Sequence, residues 1–551
     1  MIIIKPVSVM NKCFLDQSIE YFDEINTFEG LKCEECAFQL LYTSDNPEDY
    51  PRKVLYLSIK SGINDYISVR SVENVAVRYP SNVPDDDFYE RKAKGLYPDV
   101  LLPLDNDNQV MVTFGELKAL FVSVKLPEEY QRGVYPIRIV LSDENHDISA
   151  ETVVNFCLIN AVLPEQKTKV TNWIHYDCIA NYYNVEVFSS LHWLCSEKFI
   201  KCAVKNGINT ILTPAFTPPL DTAIGHERLT VQLVDVYETD SGWRFKFDRF
   251  EKFINLCLNC GVKFFEISHL YTQWGASHAP KIMGYDKKNV YRCLFGWQTD
   301  ALSEEYKFFL RSFLKAFKTE IKNLGIENRC IFHISDEPGG SSIDTYIKAK
   351  NQISDLLEEF TVIDALSDFE MYKSGAVKNP VPNIGDIKPF LQENIKDLWC
   401  YYCCGSEVGV TNRFIAMPME RTRMLGVQMF KYNISGFLHW GFNFYNSCGS
   451  VRALNPYLVN DGDWWVPAGD CFVVYPGSDG EPIESLRLKA FCFALQDIRV
   501  FELASSIFSK DEILKAIEND CPVSFFENNK VNHLSVNARK IINDMIKLAL
   551  G

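Results

Sequence analysis

The spacing of hydrophobic positions changes near residue 165. Before it, β-branched and aromatic runs of strand length, such as "QVMVTFGELKALFVSVKLP", "GVYPIRIVLSD" and "ISAETVVNFCLINAVLP", are broken by turn-formers like "LSDENHD". That pattern predicts antiparallel strands with little helix, an Ig-like β-sandwich over residues 1–165. The polar, proline-containing "VLPEQKTKVTN" (162–172) reads as a connector. Beyond it, short apolar runs alternate with stretches of helical period, the rhythm of an α/β unit.

The predicted strands are "TNWIHYD" (171–177), "NTILTPAF" (209–216), "VKFFEISHLY" (262–271), "CIFHISDEP", "TVIDALSD" (361–368), "KDLWCYYCCG" (396–405) and "SGFLHWGFNFYN" (435–446). Helical periods fall between them in "SSLHWLCSEKFIKCAVKNG", "KFDRFEKFINLCLNCG", "SEEYKFFLRSFLKAFKTEIKNLG" and "IDTYIKAKNQISDLLEEF", near 418–432 and around 483–505. With an eighth strand near "PVPNIGDIK", residues 166–505 predict a (β/α)8 TIM-type barrel with long loops, followed by a short helical tail over 506–551. An open doubly wound sheet is the alternative, but no Gly-rich phosphate fingerprint supports it.

In such a barrel the reacting groups sit at the C-terminal ends of the strands and in the loops that follow. Unusual polar and aromatic residues fall there. In "RCIFHISDEPGG", strand parity puts His333, Ser335 and Glu337 on the barrel-mouth side; Asp336 joins them if the strand ends or bulges before Pro338-Gly339-Gly340. The same parity groups Trp173, His175 and Asp177, and places Glu266 with Phe264 and Ser268. Trp274 and His278 lie in a segment of about thirty residues, too long to be mere connection. Tyr401, Tyr402, His439, Trp440 and Asn443 complete the set. For any single Trp or His in it, a packed core residue is the commoner case. Together they describe an aromatic, carboxylate-lined cleft suited to a sugar ring.

Charge and cysteine usage narrow the partners. Lys plus Arg number 56 against 72 Asp plus Glu, a formal charge of -16, which argues against a phosphate backbone and favours a neutral ligand. No apolar run approaches the roughly 18 residues of a membrane span. The start "MIIIKPVSVMNKCFLDQ" lacks the features of a signal peptide, so the expected location is cytoplasmic, with the 18 cysteines as reduced thiols. The spacings Cys33/Cys36, Cys257/Cys260 and Cys400/Cys403 invite a zinc reading, but buried free thiols are the commoner use. No metal and no cofactor are expected. The expected partner is a small oligosaccharide or glycoside, with no nucleic acid and no membrane.

At "HYDCIANYYNVEVFS", "LTPAFTPPLDT", "HISDEP" and "GFLHWGFNFYN" the chain resembles family 123 glycoside hydrolases, β-N-acetylgalactosaminidases and their bacterial relatives. The likeness runs from about Asn172 to Asp497 and extends to the β-sandwich in front. It implies release of a terminal β-linked N-acetylhexosamine, GalNAc by inheritance, with retention and with the substrate's own acetamide as nucleophile. It implies Asp336 as the group that polarises the acetamide and Glu337 as the acid/base. Two other readings stay open at this point. One is a conventional retaining glycosidase, pairing Glu337 with Glu266 or Asp177 at the usual separation of about 5–5.5 Å. The other is a non-catalytic carbohydrate-binding protein on a barrel scaffold.

Overall fold

The computed structural model describes residues 1–82, 86, 88–406, 408–519, 522–526 and 534–550. Its N-terminal region is strand-rich, as the alternation predicts. One five-stranded sheet runs in the order Ile2–Ser8, Cys36–Ser44, Lys118–Val124, Ile67–Val77, Gly95–Pro103. The second runs Thr27–Lys32, Ile148–Val162, Gly133–Ser142, Lys53–Lys60, Gln109–Val112. Every neighbour pair is antiparallel except Thr27–Lys32 with Ile148–Val162. Alternate residues, among them Phe38, Leu40, Leu55, Leu57, Ile137 and Ile139, meet in one apolar core.

The second region is built on seven parallel strands: β1 (Lys169–Asn172), β2 (Thr210–Thr213), β3 (Phe264–Ile267), β4 (Cys330–Phe332), β5 (Thr361–Val362), β6 (Trp399–Tyr401) and β7 (Gly436–His439). Their order in the curled sheet is β5-β4-β3-β2-β1-β7-β6. The continuous sheet therefore has seven strands where eight were expected. The segment expected as the eighth, Pro380–Val381, makes only a two-residue parallel pair with Asp364–Ala365, and Asn383 then bridges Tyr401 of β6. Side chains alternate across the sheet. Leu212, Ile331, Ile363, Trp399, Tyr401 and Leu438 form an inner cluster, while Ile211, Phe265, Phe332, Cys400, Tyr402 and Phe437 join the outer core under the helices.

The helix Glu304–Asn323 illustrates the outer layer. Ser303 caps it by accepting the Tyr306 N–H, and Phe309, Leu310, Phe313, Leu314, Phe317 and Ile321 form one buried stripe. Two elements were not foreseen. The expected strand 171–177 stops at Asn172, and Tyr176–Tyr183 is a helix, so the parity grouping of Trp173, His175 and Asp177 does not hold. The long loops after β2 and β3 fold together as a four-stranded sheet, Gly242–Lys246, Asp235–Thr239, Ile282–Tyr285 and Tyr291–Phe295. Trp243 and Phe295 of that sheet pack on Phe309.

The C-terminal helices, Lys510–Ile517 and Leu534–Leu550, join the two regions. Ile542 and Ile546 share a core with Val427, Phe501 and Ile159. Arg539 donates to Glu34 of the strand-rich region at 2.6 and 2.8 Å and to Asp497 at 3.1 Å. Among the described residues no helix is long and apolar enough to cross a membrane.

Candidate active site

β4 ends at Phe332 because the next backbone donors leave the ladder: the N–H groups of Ile334 and Ser335 both bond Asp364 Oδ1, at 2.9 and 3.2 Å. Strand parity therefore does not carry through to Glu337, as the sequence reading assumed. Instead Asp336 and Glu337 sit on a turn, with Glu337 in the left-handed region at φ 45°. The loop after β3 zips onto this turn: Tyr271 N–H bonds Ile334 O at 3.1 Å, Ser335 Oγ bonds Thr272 O at 2.8 Å, and Trp274 N–H bonds Asp336 O at 2.8 Å. Trp274 and Ala276 are also left-handed, at 60° and 58°. Gly275 between them lies so close that a Cβ would fall 2.2 Å from that of Ser342.

Glu337 is exposed, and its Oε1 accepts the Tyr401 hydroxyl at 2.7 Å. Asp336 beside it is crowded by protein. Burial, then the negative charges of Glu337 and Asp221, push its carboxyl well above the usual range, against the pull of His333. Asp221, in the loop after β2, is pushed up to about 7, chiefly by burial, with Glu337 and Asp470 adding to it against Arg228. Its backbone N–H bonds Gln273 Oε1, tying this loop to the one after β3.

Beneath the pair lies a floor of buried polar groups. Glu266 accepts from Thr171 Oγ1, from Trp173 Nε1 at 2.8 Å and from His333 Nε2 at 2.6 Å. His333 Nδ1 is 3.6 Å from Asp364 Oδ1, and Asp364 Oδ2 accepts the Tyr346 hydroxyl. Burial works against a charge on His333, but Asp364 and Glu266 outweigh it and push its pKa up to about 10, so it is an imidazolium. His269, ring centroid 4.3 Å away, stays neutral because burial and that charge both oppose its protonation.

The structure sorts the predicted residues into two groups. Asp336, Glu337, Trp274 and Tyr401 come together at the mouth. Trp440 is half-buried, with its indole N–H on Asp470 at 3.0 Å. His278 is half-buried in the inserted loop, its ring 6.0 Å from that of Trp297. The others are enclosed by protein. Glu266 and His333 are floor groups. Asp177 is held below its usual range, burial notwithstanding, by the Arg228 guanidinium at 2.6 Å, and Arg228 also bonds His175 Nδ1 at 2.9 Å. Asn443 bonds the backbone N–H and C=O of His175 at 2.9 and 3.2 Å. Tyr402 and His439 turn to the outer face, ring centroids 5.4 Å apart.

Sequence reasoning missed Asp221, Arg228, Asp364 and Asp470. A carboxylate inside the apolar run "TVIDALSD" was a signal for Asp364, and Asp221 lies in the strand-end loop "FTPPLD". Nothing local marks Asp470, which burial pushes up to about 7 against Arg413 and the Trp440 indole. Among the described residues no group of three or more His, Cys, Asp or Glu could hold a metal ion.

The model of glycoside hydrolase 123, catalytic domain, matches residues 173–504. A family 123 glycoside hydrolase from Clostridium perfringens, whose structure was described for glycolipid glycan hydrolysis, superposes with a TM-score of 0.74 at 14% identity, covering 100% of this chain and 99% of that one. A Bacteroides ovatus GH5 xyloglucanase reaches a TM-score of only 0.31 at 8% identity, covering 87% of this chain and 99% of its own. Among curated proteins there is no match.

Proposed function

This chain belongs to glycoside hydrolase family 123, and we propose that it releases a terminal β-linked N-acetylhexosamine, GalNAc in the first instance, by substrate-assisted retaining catalysis. The observation that carries the mechanism is the state of the other carboxylates. A conventional retaining hydrolase needs a free carboxylate nucleophile facing the acid. Glu266 is buried and saturated by three donors, and Asp177 is clamped by Arg228. Asp221 and Asp470, both pushed up to about 7, are only partly ionised at neutral pH. Adjacent residues on one turn, Asp336 and Glu337, cannot flank a sugar ring as nucleophile and acid. The nucleophile then comes from the substrate's 2-acetamido oxygen.

In this reading substrate binding passes the proton of Asp336 to Glu337, whose Oε1 is oriented by Tyr401, for delivery to the departing oxygen. Asp336 accepts the acetamide N–H and stabilises the positive charge that grows on nitrogen as the oxazoline-type ring closes. Glu337 then takes a proton from water to open that ring. Trp274, exposed on its strained loop, is the sugar platform, while Tyr401 and Trp440 wall the acetamide pocket. His175, Asp177, Glu266, His333, Tyr402, His439 and Asn443 support these groups from behind. The scaffold is a complete (β/α)8 barrel over 166–505, its sixth strand being the short Pro380–Val381, between a sandwich domain (1–165) and a helical tail (506–551). As with the Clostridium perfringens relative, glycolipid glycans are the first substrates to assay, alongside small oligosaccharides. A cytoplasmic location fits the reduced thiols and favours the small oligosaccharides.

The test pairs nitrophenyl glycosides with and without the 2-acetamido group. Hydrolysis restricted to the acetamido sugars, and strong inhibition by a thiazoline mimic of the cyclised intermediate, are expected. A glycosylated carboxylate recovered after treatment with a 2-fluoro glycoside would overturn the mechanism.

A further inference from the structure

Strand alternation turns Tyr402 and His439 to the outer face of the sheet, where both are fully buried beside the equally buried Arg413. Arg413 Nη2 donates to His439 Nδ1 at 2.6 Å and to Gly441 O, while Nε and Nη1 have no partner among the described residues. His439 Nδ1 also accepts the Gly441 N–H at 3.0 Å, so the imidazole proton is on Nε2. That Nε2–H is a donor with no hydrogen-bond partner, 3.4 Å from Asp470 Oδ1. The Tyr402 hydroxyl is likewise buried without a partner. So are both amide atoms of Asn172, which lies opposite His439 in the β1–β7 register.

These groups are mostly donors. Arg413 Nε and Nη1, His439 Nε2, Tyr402 Oη and Asn172 Nδ2 are unpartnered among the described residues, with Asp470 Oδ1 and Asn172 Oδ1 the unpartnered acceptors of the same neighbourhood. A buried guanidinium is tolerated only when its charge is met. Asp470 meets it poorly, since burial already favours its neutral form. A water accepts two hydrogen bonds and cannot balance such a set, whereas a halide accepts from all of it.

We propose that Arg413, His439, Tyr402 and Asn172 form a buried site for a small monovalent inorganic anion, chloride being the common one. The site lies behind the sugar-binding mouth and is joined to it by Asp470, whose Oδ2 holds the Trp440 indole. It stands independently of the glycosidase reading.

The experiment uses the full-length protein. Its Tm is measured in sodium chloride, bromide and gluconate at equal ionic strength, and crystals grown in bromide are searched for anomalous signal. Chloride and bromide should raise Tm above gluconate by a few degrees, and bromide should appear bonded to Arg413 and Tyr402. Removing Arg413 risks unfolding, so the variant is Tyr402→Phe, which deletes one donor and no charge. It should weaken halide binding about tenfold, read as a reduced halide-specific Tm increment. Equal Tm in all three salts, a water without anomalous signal at the site, or an increment unchanged in Tyr402→Phe would each overturn the proposal.

Discussion

The floor and the mouth at the strand ends of the curled sheet hold carboxylates in opposite conditions. On the floor, Glu266 and Asp364 have each oxygen filled by protein donors, around an imidazolium that they stabilise. At the mouth, Asp336 is pushed toward its neutral form by burial and by Glu337, and Glu337, exposed, accepts the Tyr401 hydroxyl. The mouth also collects left-handed non-glycine residues, Asp221, Trp274, Ala276 and Glu337, whereas the floor residues adopt ordinary backbone. Each such conformation costs on the order of 1–3 kcal/mol. The difference teaches that the floor stabilises the fold, and that its stability is what lets the mouth keep under-bonded, mutually repelling carboxyls in place.

The strongest way to break this contrast is Glu337→Gln. Loss of general acid catalysis should lower kcat by about 10²–10⁴-fold on substrates with poor leaving groups, and less on activated aryl glycosides, with Tm little changed. Equal losses on both leaving-group classes would remove Glu337 from the acid role. On the floor, His333→Phe strands Glu266 and Asp364 without their cation and should cost about 3–5 kcal/mol of stability in denaturant unfolding. The wild-type protein carries the matching pH signature. His333 is raised above its unfolded value, so its contribution is full below about 6.5 and is lost as pH rises through about 10. A Tm that does not fall over that range more steeply than in His333→Phe would contradict the imidazolium assignment.

Asp336→Asn should cut turnover by about 10²–10³-fold and yet raise Tm slightly at neutral pH, because a carboxyl whose pKa is raised in the fold costs stability at every pH above its unfolded value. A variant that lost stability together with activity would place Asp336 among the floor groups instead. The smallest effect is expected at Asp221. Its pKa of about 7 lies above the unfolded value, so stability falls as pH rises from about 4 through about 7. Asp221→Asn should flatten that part of the Tm–pH curve, and an unchanged slope would rule out a protonated Asp221.

The candidate site was half legible in the chain. "HISDEPGG" marks two carboxylates at a strand end because an apolar run, an acidic doublet and a Pro-Gly-Gly break are all local signals. Tyr401 and Tyr402 read alike in "CYYCC", yet a period of two sends the first to Glu337 and the second to the outer core. Parity could be assigned only with strand ends in hand, and these were misjudged at Asn172 and Phe332. β4 stops because its next donors find a partner outside the ladder, the N–H groups of Ile334 and Ser335 bonding Asp364.

Local sequence thus settled what depends on neighbours along the chain. The alternating runs of the N-terminal sheets, the apolar stripe and Ser303 cap of Glu304–Asn323, and the strand–helix rhythm after residue 165 all belong here. Tertiary structure decided what depends on neighbours across it. Glu266 looked like a substrate carboxylate until Thr171, Trp173 and His333 closed around it from β1 and the end of β4. Asp221 and Asp470, separated by some 250 residues, influence each other's ionisation only because two loops meet. A carboxyl's protonation and reach are set by burial and by the charges facing it, and a linear sequence carries neither.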